Sequence, residues 1–192
     1  AKIKDVTRFA TPSKLMVYAG CASKYGLFVC KRNLNAIRKI HAEQYVGDPD
    51  DYRPFGYNTQ LQQRMYIITD SLIRAKGWFY NFYQQQRGRI EQKAIDEGRT
   101  FIATAEQAKG TKYKAGERYM QGRNTQSLKA WSNSGARWRV ARTLLHLVYA
   151  EWYQYKGLTP RNPYPIEHLG HEGHSRLITL DEVIAADGKK KE

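Results

Sequence analysis

Arg137, Arg139 and Arg142 fall within the run A-R-W-R-V-A-R (Ala136 to Arg142). On a helix, residues 139 and 142 stand about one turn apart, so their guanidinium groups can meet adjacent phosphates of a nucleic-acid backbone. The alternative use of such a face is solvation, with the methylene stems lying over core aromatics. A second basic group, Lys31, Arg32, Arg38 and Lys39, lies near Tyr25 and Phe28. Rings stack on unpaired bases while cations neutralise phosphates, so this mixture suits nucleic acid with exposed bases. Arg53 and Arg64 complete the candidate nucleic-acid contacts.

Other chemistry finds less support. His168, His171 and His174 are spaced three apart in H-L-G-H-E-G-H, yet two glycines intervene and no cysteine joins them, which fits no familiar zinc spacing. Asp48, Asp50 and Asp51 would suit Mg²⁺, but acids in a Gly/Pro segment also make an ordinary solvated turn. The chain carries no P-loop, nucleophile elbow, H-E-x-x-H or G-x-G-x-x-G. Cys21 and Cys30 lack a C-x-x-C arrangement and read as two reduced thiols. No composition or spacing establishes catalysis in this chain alone.

Charge sets the partner class. Thirty-two Lys plus Arg against 18 Asp plus Glu give a formal charge of +14 over 192 residues. Such an excess calls for a polyanion, and nucleic acid is the first candidate. A membrane surface is disfavoured, because the chain has neither a long uncharged apolar run nor an N-terminal signal pattern; a cytoplasmic protein is expected. With 41% hydrophobic residues there is enough apolar material for a core.

The elements that must position these residues are mainly helical. Thr11-Pro12-Ser13 reads as a helix start with Thr11 as N-cap, and Gly20 as its stop. Residues 25–30 suit one short strand, and residues 33–45 fit either a helix or a hairpin. From Asn58, Leu61, Met65, Ile68 and Leu72 line one helical face. Residues from Trp78 to about Ala108 have few large apolar side chains and predict an exposed, projecting helix. Trp138, Ala141, Leu145, Val148 and Trp152 predict the strongest helix, closed by Gly157 as a C′ glycine. After it, Pro160, Pro163 and Pro165 predict an extended tail, broken by a short helix near residues 180–186. The expected fold is thus mainly α with a small mixed α/β N-terminal portion, a domain over 1–157 and a tail over 158–192.

Three segments, in order, resemble the C-terminal domain of the insertion sequence 110/116/902 transposases, the family of Piv-type invertases and bridge-RNA-guided recombinases. D-V-T-R-F-A-T-P-S-K-L-M-V-Y-A-G (Asp5 to Gly20) looks like the family's opening "D-x-x-R-F-x-x-x-x-x-L-x-x-Y-A-G". G-Y-N-T-Q-L followed by D-S (within Gly56 to Gly77) resembles one subgroup's "Y-N-P-x-L-x-x-x-x-x-x-x-x-D-S" helix. A-R-W-R-V-A-R-T-L-L-H-L-V-Y-A-E-W (Ala136 to Trp152), followed by G-L-T-P-R-N-P-Y-P-I-E-H-L-G-H (Gly157 to His171), is similar to that subgroup's last helix and its "G-L-x-x-x-x-P-Y-P-x-x-x-L-G-H" tail.

The resemblance implies RNA-directed DNA recombination, with this domain gripping nucleic acid. Family members also carry a RuvC-like domain with four metal-binding acids, for which the residues before Asp5 leave no room, and a nucleophilic serine in the C-terminal domain. Ser23 is the candidate for that serine, with an ordinary polar residue after a helix end as its alternative; Gly56 stands where relatives often have Ser. The expectation is a transposase-like, nucleic-acid-binding protein that holds a guide RNA or grips DNA without a complete active site of its own. It has no cofactor of its own, Mg²⁺ entering only where a partner supplies an acidic site. Expected partners are structured RNA, DNA, a RuvC-like nuclease subunit and a second copy of the chain. The competing readings are an active recombinase fragment using Ser23 and a general RNA-binding protein of a ribonucleoprotein.

Overall fold

A computed structural model describes residues 3, 5–24, 27–49, 52, 54–97, 129–162 and 178–188. The fold is mainly α. Helices α1 (Pro12–Tyr18), α2 (Leu34–Glu43), α3 (Thr59–Arg74), α4 (Trp78–Asp96), α5 (Lys129–Tyr155) and α6 (Leu180–Gly188) accompany short 3-10 turns at Val6–Arg8 and Lys31–Asn33. The chain divides into two compact units, Ala1–Ile68 with Ala141–Glu192, and Thr69–Val140. No helix among the described residues is long and apolar enough to cross a membrane.

Local sequence explains the element boundaries of the first unit. Asp5 accepts the Thr7 N–H at 2.9 Å and opens the first 3-10 turn. Thr11 caps α1 through Lys14 N–H at 3.3 Å, with Pro12 at the position that needs no hydrogen. Gly20 then turns the chain at φ +67, a left-handed conformation that favours glycine. The single strand expected over residues 25–30 is instead part of a minimal antiparallel pair, β1 (Ser23–Lys24) with β2 (Leu27–Phe28), in register Ser23 to Phe28 and Lys24 to Leu27. Strands of two residues leave no alternation for a sequence pattern to detect. Of residues 33–45, Leu34–Glu43 form a helix rather than a hairpin: α2 buries Ile37, which joins Val29 and Phe55 in a core patch flanked by Val17, Leu34 and Tyr57.

The C-terminal half of α5 holds the N-terminal segment. Tyr153 Oη donates to the carbonyls of Phe9 at 2.9 Å and Thr7 at 3.4 Å. Tyr149 Oη donates to Ala10 O at 3.3 Å, and the two tyrosine rings stack 4.3 Å apart. Gly157, at φ +69, closes the helix in a Schellman motif: its N–H reaches Gln154 O at 2.8 Å and Leu158 N–H reaches Tyr153 O at 2.9 Å. The expected apolar stripe of α5 is shifted. Ala141, Leu145, Tyr149 and Tyr153 are buried at four-residue steps, whereas Val148 is exposed and Trp138 and Trp152 are half-buried. On α3 the buried line likewise runs Leu61, Met65, Thr69, leaving Ile68 exposed.

In the second unit α4 is no projecting helix, since it buries Phe79, Tyr83, Gln86 and Ala94. Tyr83 Oη donates to Asn133 Oδ1 at 3.0 Å, and Ser132 Oγ to Glu91 Oε1 at 2.7 Å. Glu91 also accepts from Arg87 Nε at 2.9 Å. Gly135 permits the approach of α5 to α4, because a Cβ there would lie 2.9 Å from Ile90 Cδ1. A seam built from small and hydrogen-bonded polar residues buries a helix without a hydrophobic stripe, so its composition alone pointed to exposure. Residues 98–128, and the Pro-rich tail over 163–177 that was expected to be extended, lie outside the described residues.

Candidate nucleic-acid interface

The candidate cations occupy different environments. Lys31 is exposed at the 3-10 turn before α2, and Arg64 is exposed on α3. Lys39 is exposed and lies 4.0 Å from Glu43 one turn on, a solvated pair of small energetic weight. Arg38 is exposed overall, but its Nε donates to Phe55 O at 2.9 Å, which ties α2 to the segment before α3. Tyr25, the Arg32 side chain and Arg53 lie outside the described residues.

The arginines of α5 have intramolecular partners. Arg137 Nη2 lies 2.9 Å from Asp70 Oδ1, and Asp70 also pairs with Arg74. Arg139 Nη1 donates to Gln86 Oε1, while burial, with the charge of Arg89 adding to it, lowers the Arg139 pKa from its usual value. Arg142 is half-buried in the first unit, where its charge partly offsets the burial that pushes the Cys21 thiol up to about 12. Cys21 is therefore a packed, unreactive thiol.

The first unit also gathers groups that sequence reasoning did not single out. The Arg8 guanidinium lies 4.7 Å from the Phe9 ring centroid and 4.8 Å from that of Tyr18. Stacked in this way, it keeps its planar donor fork on an exposed residue. The hydrogen bond from Asn58 lowers the Tyr18 hydroxyl below the ordinary phenol value, with Arg8 contributing and burial opposing. On α2, His41 faces Tyr52 at 5.8 Å and Phe55 at 6.2 Å, and Tyr52 meets Tyr45 edge-on at 5.3 Å. Lys24 Nζ lies 5.6 Å from the Phe55 centroid. The signal available in the sequence was the spacing of Arg38 and His41, three apart, which places them on one face of α2.

The catalytic candidate, Ser23, is exposed on β1 beside Lys24. Among the described residues no acid or imidazole hydrogen-bonds its hydroxyl, and serine nucleophiles depend on such a base. No three His, Cys, Asp or Glu side chains converge among the described residues; His168, His171, His174, Asp50 and Asp51 lie outside them. Set against protein-family models, curated proteins and solved structures, the chain matches none of them.

Proposed function

We propose that this chain is a nucleic-acid-binding, transposase-like protein that grips structured RNA, DNA or both. The observation that carries the reading is the formal charge of +14, together with cations on the first unit that stay exposed after folding: Arg8, Lys31, Arg38, Lys39 and Arg64. A polyanion neutralises such a surface and gains entropy from released counterions. The resemblance to the insertion sequence 110/116/902 transposases supports the same reading. In this role the chain holds a guide RNA or a DNA segment. In this reading the chain has no complete active site of its own, and Mg²⁺ enters only where a partner such as a RuvC-like subunit supplies an acidic site.

Recovery of the protein from its native host, digestion of unprotected nucleic acid and sequencing of what stays bound tests the reading. One discrete structured RNA supports the guide-holding role. Heterogeneous fragments reduce it to a generic basic binder, and the absence of any nucleic acid overturns it. Ser23→Ala addresses the recombinase-fragment alternative, which requires that the substitution abolish covalent attachment to DNA.

A further inference from the structure

We infer that His41, Tyr45 and Tyr52 form a stacking platform for unpaired nucleobases, with Lys24 and Arg38 engaging the flanking phosphates. The inference rests on the nucleic-acid-binding reading and specifies which form of nucleic acid this surface takes. Arg38 and His41 share one face of α2, Tyr45 lies two residues beyond its end, and Tyr52 meets both rings, with centroid distances of 5.8 Å to His41 and 5.3 Å to Tyr45. Phe55 forms the floor: it is buried, touches His41 edge-on, and is fixed by the Arg38 bond to its carbonyl.

Three properties favour unpaired bases over other occupants. His41, Tyr45 and Tyr52 are half-buried rather than sealed, so ring surface remains at the solvent boundary. Cations lie beside the rings, since Lys24 lies over Phe55 and Arg38 is one turn from His41 on α2; among the described residues Glu43 and Asp48 are the acids of this stretch, and Glu43 is matched by Lys39. Finally, the ring surface is aromatic rather than aliphatic. A ring accepts the face of a base only when that base has left its stack, so a duplex offers this surface its phosphates alone.

The test measures binding of labelled single-stranded RNA, single-stranded DNA and a blunt duplex of the same sequence to the full chain and to a Tyr45→Ala, Tyr52→Ala double variant. Stacking predicts that the variant binds the single strands about five- to a hundredfold more weakly. Duplex affinity stays within about twofold, because the phosphate contacts survive. Tyr45→Phe with Tyr52→Phe restores single-strand binding. A larger effect on one of the two single strands supports the platform and identifies RNA or DNA as the preferred source of the bases. Equal weakening on single strand and duplex, or no weakening, overturns the platform.

Photo-crosslinking of wild-type protein to a 5-iodouridine-containing single strand decides the matter even where the double variant fails to fold. Attachment at Tyr45, Tyr52 or His41 is expected, and attachment confined to other peptides refutes the platform. Wild-type protein that binds neither single strand nor duplex would remove the underlying functional reading as well. Wild-type binding with unaffected variants removes the platform alone.

Discussion

Asn58 and Tyr18 are joined twice: the Asn58 backbone N–H donates to Tyr18 O at 2.8 Å, and Asn58 Nδ2 donates to Tyr18 Oη at 2.9 Å. The same side chain's Oδ1 accepts the Leu61 N–H at 2.9 Å and so caps α3. One residue therefore starts a helix and fixes it to the end of α1. Asn58→Ala removes the cap and leaves the Tyr18 hydroxyl without this donor, at a cost of about 1–3 kcal/mol in a denaturant titration. Asn58→Asp keeps the cap but removes the amide donor, so the Tyr18 hydroxyl should titrate at higher pH in the variant, read by ultraviolet absorbance.

Gln62 makes a comparable bridge, with Nε2 donating to Gly20 O at 2.6 Å and Val29 O at 3.0 Å. Gln62→Glu replaces a donor by a charged acceptor facing two carbonyls and should destabilise by roughly 1–3 kcal/mol. Gly20→Ala should be at least as damaging. The added Cβ would stand 2.7 Å from both Gln62 Nε2 and Tyr57 Cδ2, at a φ of +67 that strains any L side chain. Thermal unfolding of the two variants checks both statements.

Gly56 offers the opposite case, since nothing lies within 4 Å of a Cβ built there. Gly56→Ser should shift stability by no more than about 0.5 kcal/mol. A drop of more than about 1 kcal/mol in equilibrium unfolding would show that this stretch is held more tightly than its open surroundings indicate.

The exposed and the partnered cations should separate cleanly. Lys31→Ala with Lys39→Ala should leave unfolding unchanged, while the slope of log affinity against log salt becomes shallower by about 0.7–0.9 for each phosphate that is no longer neutralised. Arg137→Ala should instead cost about 1 kcal/mol of stability, because it breaks the ion pair with Asp70. Salt titrations of binding and denaturant titrations of the free protein, run on the same variants, give the two readouts.

Burial lowers the pKa of His146 below the ordinary imidazole value, so the fold favours its neutral form. The unfolded chain then binds the proton more readily. This contribution to stability is complete above the unfolded imidazole value near pH 6.5 and disappears as pH falls below it. His146→Gln should flatten the pH dependence of the unfolding midpoint between about pH 5 and 7. A curve that keeps its slope would assign the effect to other groups.

Short-range chemistry alone determined much of this protein. Thr11 and Pro12 set the start of α1, Gly20 and Gly157 set left-handed stops, and the period from Leu61 onward marked α3, because caps, fixed φ and helical spacing act within a few residues. The charge excess, and with it the expectation of a polyanion, is likewise a property of composition. Which face of each helix is buried was decided only by tertiary packing: Thr69 rather than Ile68 on α3, and Tyr149 and Tyr153 rather than Val148 and Trp152 on α5. On α5 the reason is that a tyrosine whose hydroxyl finds a backbone carbonyl buries as readily as an apolar side chain. The partner of Arg139 lies 53 residues away in the chain, that of Arg137 is Asp70 on another helix, and Tyr52 reaches His41 and Tyr45 across a loop. A one-dimensional pattern holds no record of such meetings, which arise when the chain closes on itself.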